Sequence, residues 1–269
     1  MFPIAHAWLI AQLVELPTPA QYLGCVWPDM LFGSPLDHTR SHRSGRALAA
    51  HVNALDVGEH RPAFRQFVTG VLTHGSEPRG FDWYSDEEYG GLPAATRGYA
   101  FQHGRALADE TARACGLPPQ EGWWKAHNIV EMAFERDLAL NHPDLGGSLA
   151  AACADDDLTT SIAVELASVF ALPATALRAA MRRFPSVVSL QPTTHAALAE
   201  VYAVQVRLKH PDAAPDIPAL TQLIARAEAL IAESKRAYLT TCARLVGEMI
   251  ADVFPATNEA RRTETGGIV

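Results

Sequence analysis

The spacing of apolar residues is the feature that most constrains the fold of this chain. Alanine and leucine recur every three or four residues nearly throughout its 269 positions, which is the period of an amphipathic helix. No segment alternates apolar and polar residues over the length of a strand. The sequence therefore predicts an all-α protein, a multi-helix bundle with additional helices toward the C-terminus.

Proline, glycine and capping residues divide this pattern into separate helices. The expected helices cover residues 3–16, 20–27, 44–55 (or 41–55), 62–74, 94–115, 120–141, 155–171, 173–184, 193–209 and 217–254. The segment 32–42 is rich in turn residues and is expected to be a loop. A longer loop, 75–93, is dense in glycine, aromatic and acidic residues. Its aromatic side chains favour an ordered lid or rim over disorder.

The stretch GGSLAAACADDD near 146–157 is the one plausible internal boundary. We expect a helical metal-binding core over 1–145 and a C-terminal helical scaffold over 146–269, packed with the core as one domain. Hydrophobic residues make up 48% of the chain and charged residues 19%. This composition is typical of a globular protein.

Charge and motif searches exclude several classes of protein. The formal net charge of -8 argues against nucleic-acid binding through a basic surface, since such binding neutralises phosphates. No apolar run reaches the roughly 18 residues of a membrane span. The first residues lack the basic start and cleavage site of a signal peptide, so we expect a cytoplasmic protein. Its four cysteines show no CxxC and are expected to be free core thiols.

The histidines are distributed unevenly, with nine of the eleven before residue 143. His127 and Glu131 lie four residues apart in HNIVE, so they share one face of a helix. The neighbouring residues are largely apolar, and a buried pair of this kind needs a partner, which a metal ion provides. The alternative is an ordinary solvated pair.

Other segments of the first half contribute further candidate ligands. His6 lies on an apolar helix, Asp29 follows an apolar run, and His74 ends another apolar helix. Asp82 follows His74 by eight residues, within the aromatic loop. Histidine and carboxylate together suit zinc. Each residue also has a structural alternative: a hydrogen-bonded core histidine, a turn acid, a histidine at the end of a helix dipole or a loop acid.

The segment DHTRSHRSG combines histidine and arginine. His38 and His42 are four residues apart and can share an ion, and Arg40 and Arg43 beside them suit an anionic substrate such as a phosphate ester. The alternative is a solvated loop. Nucleophile elbows, Walker loops, GxGxxG and HExxH are not found in the sequence, so those catalytic classes are not indicated.

Five short motifs, AHAWLIAQL, LGCVWPDM, SHRS, FVTGVLTHG and HNIVE, resemble the bacterial zinc-dependent phospholipase C family over about residues 3–137. That family and its single-strand nuclease relatives are all-helical and bind two or three zinc ions. The resemblance implies a zinc phospholipase C-type bundle in which Gly70 belongs to the Gly-x-x-x-His helix. The implied metal ligands are His6, Asp29, His42 (with His38 as the alternative), His74, His127 and Glu131.

Two departures from the family pattern concern its metal sites. The family has an aspartate four residues after the mid-chain histidine, and here that position is Pro78. Asp82 is expected to substitute for it from the loop, as a ligand or as a general base. The secreted members also use a processed N-terminus as a ligand, and the sequence shows no processing site for one.

The leading expectation is a metal-dependent hydrolase that uses a metal-activated water on a small-molecule or lipid phosphate ester. Its cofactor would be a divalent metal, zinc first, with a pair of ions. Arg40 and Arg43 would hold the substrate anion, and Trp83 and Tyr84 would line the entrance. The alternative is a non-catalytic helical protein with a structural metal or a buried histidine–carboxylate network, dimerising through its C-terminal helix. A di-iron site is disfavoured, since no pair of Glu-x-x-His motifs is found.

Overall fold

The structure is a computed structural model that describes residues 3–30, 36–54, 61–90 and 97–254. Every regular element within these ranges is a helix, which confirms the all-α prediction. The helices of the first half are α1 (Pro3–Leu13), α2 (Pro19–Val26), α3 (His38–His42), α4 (Gly45–Ala54), α5 (Arg61–His74), α6 (Tyr99–Gly104), α7 (Ala108–Cys115) and α8 (Pro119–Asn141). Those of the second half are α9 (Asp144–Ala154), α10 (Asp156–Phe170), α11 (Ala174–Arg183), α12 (His195–Lys209), α13 (Ile217–Ile231) and α14 (Lys235–Val253).

Two segments expected to be irregular form helices. The C-terminal part of the expected loop 32–42 is α3, whose first turn is capped because the side chain of Asp37 accepts a hydrogen bond from the amide of Arg40. Residues 31–35 lie outside the described residues. The expected boundary near 146–157 contains most of α9, which packs against α1 and α2. Aspartate residues in these segments cap or begin helices.

Two helices expected to be continuous are broken. The expected helix 217–254 divides into α13 and α14, and the hydroxyl of Ser234 at the break bonds to the hydroxyl of Tyr99, 2.5 Å away. The expected helix 94–115 divides into α6 and α7 at a 3-10 turn over Arg105–Leu107. Residues 91–96 lie outside the described residues. Tertiary contacts override the local helical pattern at such breaks.

Helices α2 and α5 pack with their backbones unusually close. A Cβ placed on Gly24 would lie 2.0 Å from the carbonyl oxygen of Phe67, and one on Gly70 would lie 2.3 Å from that of Gln21. Only glycine fits at either position, because a side chain would force the helices apart. This contact brings the end of α5 against the end of α2, where two of the candidate ligands lie.

Helix α1 is held by a buried carboxylate on α8. The two oxygens of Glu135 accept hydrogen bonds from the amides of Ile4 and Ala5, at 2.8 and 2.7 Å. These amides lie in the first turn of α1 and have no partner within the helix. The negative charge is also favourable at the positive end of the helix dipole. The contact fixes α1, and with it His6, against α8.

The apolar core includes residues from both halves of the chain, such as Ile10, Phe134, Leu149 and Leu220. The four cysteines are buried and unpaired, as the sequence indicated. No described helix is at once long enough and apolar enough to cross a bilayer.

Candidate metal centre

A cavity of about 450 Å³ opens where α1, α3, α8, α12 and the segment 75–90 meet. Its acidic and histidine lining comes from five separate parts of the chain and comprises His6, Asp29, His38, His42, Asp82, Asp86, Glu87, His127 and Glu131. Residues far apart in sequence thus converge on one surface.

The first group of candidate ligands is His6, His74 and Asp82, from α1, the end of α5 and the loop after it. One potential ligand atom from each residue lies within 4.8 Å of the others. The Nε2 atom of His6 lies 3.4 Å from Oδ1 of Asp82, and that of His74 lies 3.2 Å from Oδ2. The rings of His6 and His74 are stacked, with centroids 3.7 Å apart.

A second group consists of Asp29, His38 and His42, whose potential ligand atoms also lie within 4.8 Å of one another. The Nε2 atom of His42 lies 3.5 Å from Oδ1 of Asp29 and 3.3 Å from Oδ2 of Asp82. Asp82 is therefore close to both groups. Asp29 also approaches the first group, because its Oδ2 atom lies 3.8 Å from Nε2 of His74.

Hydrogen bonds to the backbone fix the orientation of two of these imidazoles. The Nδ1 atom of His74 lies 2.6 Å from the carbonyl oxygen of Cys25, and that of His42 lies 2.9 Å from the carbonyl oxygen of His38. A carbonyl only accepts, so each Nδ1 carries the proton. In the neutral ring the lone pair is then on Nε2, directed at Asp82. Histidine ligands of metal ions are oriented by the same kind of contact.

The burial of these residues makes their charges interdependent. Burial alone would raise the pKa of Asp82, but His74 and a hydrogen bond from His42 hold the pKa well below its usual range. Burial, together with the charge of the neighbouring His74, lowers the pKa of His6 to about 3. Burial would also lower the pKa of His42, yet its hydrogen bonds to Asp29 and Asp82 raise it to about 10.

The donor set of the two groups fits a divalent metal ion. The buried Nε2 atom of His74 has no hydrogen-bond partner among the described residues, although it faces two carboxylates. A lone pair directed at anionic oxygens is unfavourable unless a cation lies between them. Imidazole nitrogens and carboxylate oxygens are the ligands that zinc accepts. The structure thus contains buried histidine–aspartate groups that could hold a metal ion.

The predicted pair His127 and Glu131 lies on the wall of the cavity, on α8. His127 is buried against Phe101, with ring centroids 4.4 Å apart. An oxygen of Glu131 accepts a hydrogen bond from Ser85 at 2.5 Å. Within the described part of the chain, neither residue belongs to the two groups of candidate ligands.

Three residues that the sequence reasoning did not select also line the cavity. Asp86 follows Asp82 by four residues, and burial together with the charge of Glu131 raises its pKa well above the usual range. Burial also raises the pKa of Glu131, to about 7. Lys125 and Lys209 lie on α8 and α12, and burial and the charge of Lys209 lower the pKa of Lys125. The sequence signal for Lys125 was its position two residues before His127.

The four residues expected to contact substrate differ in whether they line the cavity. Arg43 lines the cavity and forms an exposed ion pair with Glu77, at 3.6 Å. Arg40 instead bonds to the carbonyl oxygen of Phe170, at 3.2 Å.

The two aromatic residues of that set lie outside the described lining of the cavity. Trp83 packs beneath the guanidinium of Arg79, and Tyr84 packs against the apolar core. Both residues belong to a π-helical turn over Trp83–Glu87; Asp82 immediately precedes this turn, Asp86 lies within it, and both acids line the cavity. Comparison of the chain with protein-family models, curated proteins and solved structures gave no match.

Proposed function

We propose that the protein is a metal-dependent hydrolase of a phosphate ester, with zinc as its metal. One observation carries the proposal. The Nε2 atoms of His42 and His74 both lie within 3.3 Å of a single oxygen of Asp82, and both rings donate their Nδ1 protons to backbone carbonyls. Once His42 has lost its proton, as metal binding requires, this arrangement directs two lone pairs and one anionic oxygen at the same point.

Each group of candidate ligands would hold one ion. His6, His74 and Asp82 form the first set, and Asp29 with His42 or His38 forms the second. A bound divalent metal supplies a Lewis acid that polarises a phosphoryl oxygen and lowers the pKa of water. The protein would contribute the fixed positions of its ligands and a cavity large enough for a small phosphate ester.

The pKa values assign different roles to the carboxylates. Asp82 has a depressed pKa and contacts three histidines, which suits an anionic ligand better than a base. Glu131 lines the same cavity, and burial raises its pKa to about 7. A group that titrates near neutral pH is suited to accept a proton from an attacking water. We therefore infer that Glu131, with Asp86 beside it, serves proton transfer.

The motif order that resembles the zinc-dependent phospholipase C family supports the same class of reaction. The resemblance implies His6, Asp29, His42 and His74 as ligands, and these residues lie together in the structure. Helix α5 also reaches the site through the close approach at Gly70. On this proposal the helical arrangement around the cavity is of the phospholipase C type.

A second candidate is a non-catalytic buried network held by a proton in place of a metal. The observation that favours it is the position of His42 between two carboxylates, which raises its pKa to about 10. A protonated His42 would neutralise part of the negative charge of Asp29 and Asp82. It would leave the Nε2 atom of His74 without a partner among the described residues.

The experiment that tests the proposed function is a hydrolysis screen of chelator-stripped protein, before and after reloading with zinc, manganese, nickel or iron. The substrates are bis(p-nitrophenyl) phosphate and p-nitrophenyl phosphate, which release a coloured product. We expect hydrolysis only after reloading, with zinc the most effective metal. His195→Ala serves as the control because His195 lies in another part of the molecule, bonded to Glu228. Protein that binds zinc and hydrolyses neither ester would contradict the proposal.

A further inference from the structure

The chain contains three lysines, Lys125, Lys209 and Lys235, against nineteen arginines among its 22 basic residues. Two of the three lysines, Lys125 and Lys209, line the cavity. They come from α8 and α12, so the C-terminal half of the chain contributes directly to the candidate site. Surface charge alone gives no reason for this concentration in a protein of net charge -8.

Lys125 is unusual because it is buried and forms no ion pair with the described residues. Its exposed fraction is 6%, and no carboxylate of the described residues lies within ion-pair distance of it. By contrast, Lys235 pairs with Asp137 at 2.8 Å. Burying a charge without a counter-ion is costly. Lys125 lines the cavity, and an anionic ligand bound there would supply a counter-charge.

Lys209 lies at the end of α12 and is exposed at the cavity. It lines the same cavity as Lys125 and His38, and its charge contributes to lowering the pKa of both residues. A lysine at the end of a helix is favourable for the helix dipole alone. That explanation does not account for Lys125, which lies in the first half of α8 and is repelled by Lys209.

We propose that Lys125 and Lys209 form an anion-binding subsite for a second phosphate group of the substrate. The inference rests on the proposed function, because it assigns the scissile phosphate to the histidine–aspartate groups and the second phosphate to the lysines. The substrate class is then a phosphate ester with a further anionic group, such as a second phosphate. A substrate with a cationic group at that position is repelled by the two ammonium groups.

Two arms test the subsite on the full chain. In the first arm, calorimetry measures the binding of inorganic phosphate to chelator-stripped protein. In the second, zinc-reloaded protein hydrolyses thymidine 5′-(p-nitrophenyl phosphate) with and without a 3′-phosphate, two substrates that differ only in the second anion. The variants are Lys125→Met and Lys209→Met, which keep the long apolar stem and remove the charge. Lys235→Met is the matched control.

We expect the stripped wild-type protein to bind phosphate and Lys125→Met to weaken that binding at least tenfold. We also expect the 3′-phosphate to raise kcat/KM at least tenfold in wild-type protein, and both cavity variants to remove this preference. Lys235→Met should behave as wild type. Melting curves confirm that each variant is folded.

The outcomes separate the two proposals. Phosphate binding that is not detected, or that Lys125→Met leaves unchanged, overturns the subsite, as does equal hydrolysis of the two nucleotides. Lysine-dependent phosphate binding by a protein that hydrolyses neither nucleotide after zinc reloading supports the subsite and overturns the proposed hydrolase. Hydrolysis that the lysine substitutions leave unchanged supports the proposed hydrolase and overturns the subsite.

Discussion

The histidine–carboxylate clusters around Glu228 and around Asp82 differ in how their charges are balanced. On the scaffold side, the Nε2 atom of His195 lies 2.5 Å from Glu228, and Arg136 bonds to both oxygens of the same carboxylate at 3.0 and 3.1 Å. Each oxygen of Glu228 therefore faces a donor. This cluster is a complete ion pair and needs no further partner.

The cluster around Asp82 has the same residue types with a different balance. Its contacts to His6, His42 and His74 are longer, between 3.2 and 3.4 Å, and come from imidazoles instead of a guanidinium. Two of those imidazoles use their Nδ1 protons on backbone carbonyls. The comparison teaches that proximity of histidine and carboxylate is not a sign of a metal site. The two clusters differ in whether every group has a partner: both oxygens of Glu228 face donors, whereas the Nε2 atom of His74 has no hydrogen-bond partner among the described residues.

The largest expected effect separates the two clusters by matched substitutions. Asp82→Asn removes one anionic ligand and is expected to lower kcat/KM toward an activated phosphodiester by about 10³-fold, since metal catalysis contributes several kcal/mol. Glu228→Gln removes the corresponding charge on the scaffold and is expected to change kcat/KM by less than about twofold. Steady-state kinetics on zinc-reloaded protein measures both. Equal losses of kcat/KM in the two variants would show that the clusters around Asp82 and Glu228 do not differ in their importance for catalysis.

Chelation should destabilise only the protein whose Asp82 cluster is intact. A metal present at 100 times its Kd stabilises the folded state by about 2.7 kcal/mol, which for a chain of this size corresponds to roughly 5–10 °C in Tm. We expect that decrease when a chelator is added to wild-type protein or to Glu228→Gln. Asp82→Asn should melt at the same temperature with and without chelator. A decrease of the same size in Asp82→Asn would place the metal elsewhere.

The affinity for zinc should rise with pH. In the metal-free protein the pKa of His42 is raised to about 10. Below this value the metal must displace a proton from His42, so affinity increases about tenfold per pH unit for each proton released. The proton on His42 stabilises the metal-free fold fully below the ordinary histidine pKa, and this stabilisation is lost as pH rises toward 10.

Calorimetry in buffers of different ionisation enthalpy counts the protons released on zinc binding. We expect at least about one proton at pH 6.5, from His42. Binding without proton release at that pH would show that His42 is neutral in the metal-free protein. The His42 ring would then be oriented by the contact of its Nδ1 atom with the carbonyl oxygen of His38, without a hydrogen bond from Nε2 to a carboxylate.

The smallest expected effect is the stability contribution of the scaffold cluster. Glu228 and Arg136 are about one-quarter exposed, at 26% and 25%, so solvent screens part of their attraction. We expect Glu228→Gln to lower the free energy of unfolding by about 1 kcal/mol, with no change in bound metal. Denaturant titration measures the first quantity and elemental analysis the second. A loss of bound metal in Glu228→Gln would show that the cluster around Glu228 also contributes to metal binding.

The sequence was sufficient for the fold class because apolar residues repeat with the helical period along nearly the whole chain. It was insufficient at α9 and at the break between α13 and α14, where packing decides the boundary. Ser234, for example, ends up against Tyr99, a contact across 135 positions that no local pattern reveals. Asp37 is of a residue type typical of N-caps and caps α3, but the turn residues around it led to the prediction of a loop.

For the site, the candidates on apolar helices were predictable from burial. His6 and His74 needed partners, and the structure places them with Asp82. Lys125 was not predictable, because a lysine in a helical pattern ordinarily marks a solvated face. Arg40 looked equivalent to Arg43 in DHTRSHRSG, yet the direction of its side chain toward Phe170 depends on α10, which is distant in sequence.

The central claim is that the cluster around Asp82 holds a metal ion where the cluster around Glu228 holds a guanidinium. The most direct measurement is elemental analysis of wild-type protein and Asp82→Asn, both purified without chelator and confirmed to be folded by melting curves. We predict about one or more zinc ions per wild-type chain and a large loss in the variant. Folded wild-type protein without bound metal, both as purified and after dialysis against zinc, would contradict the account.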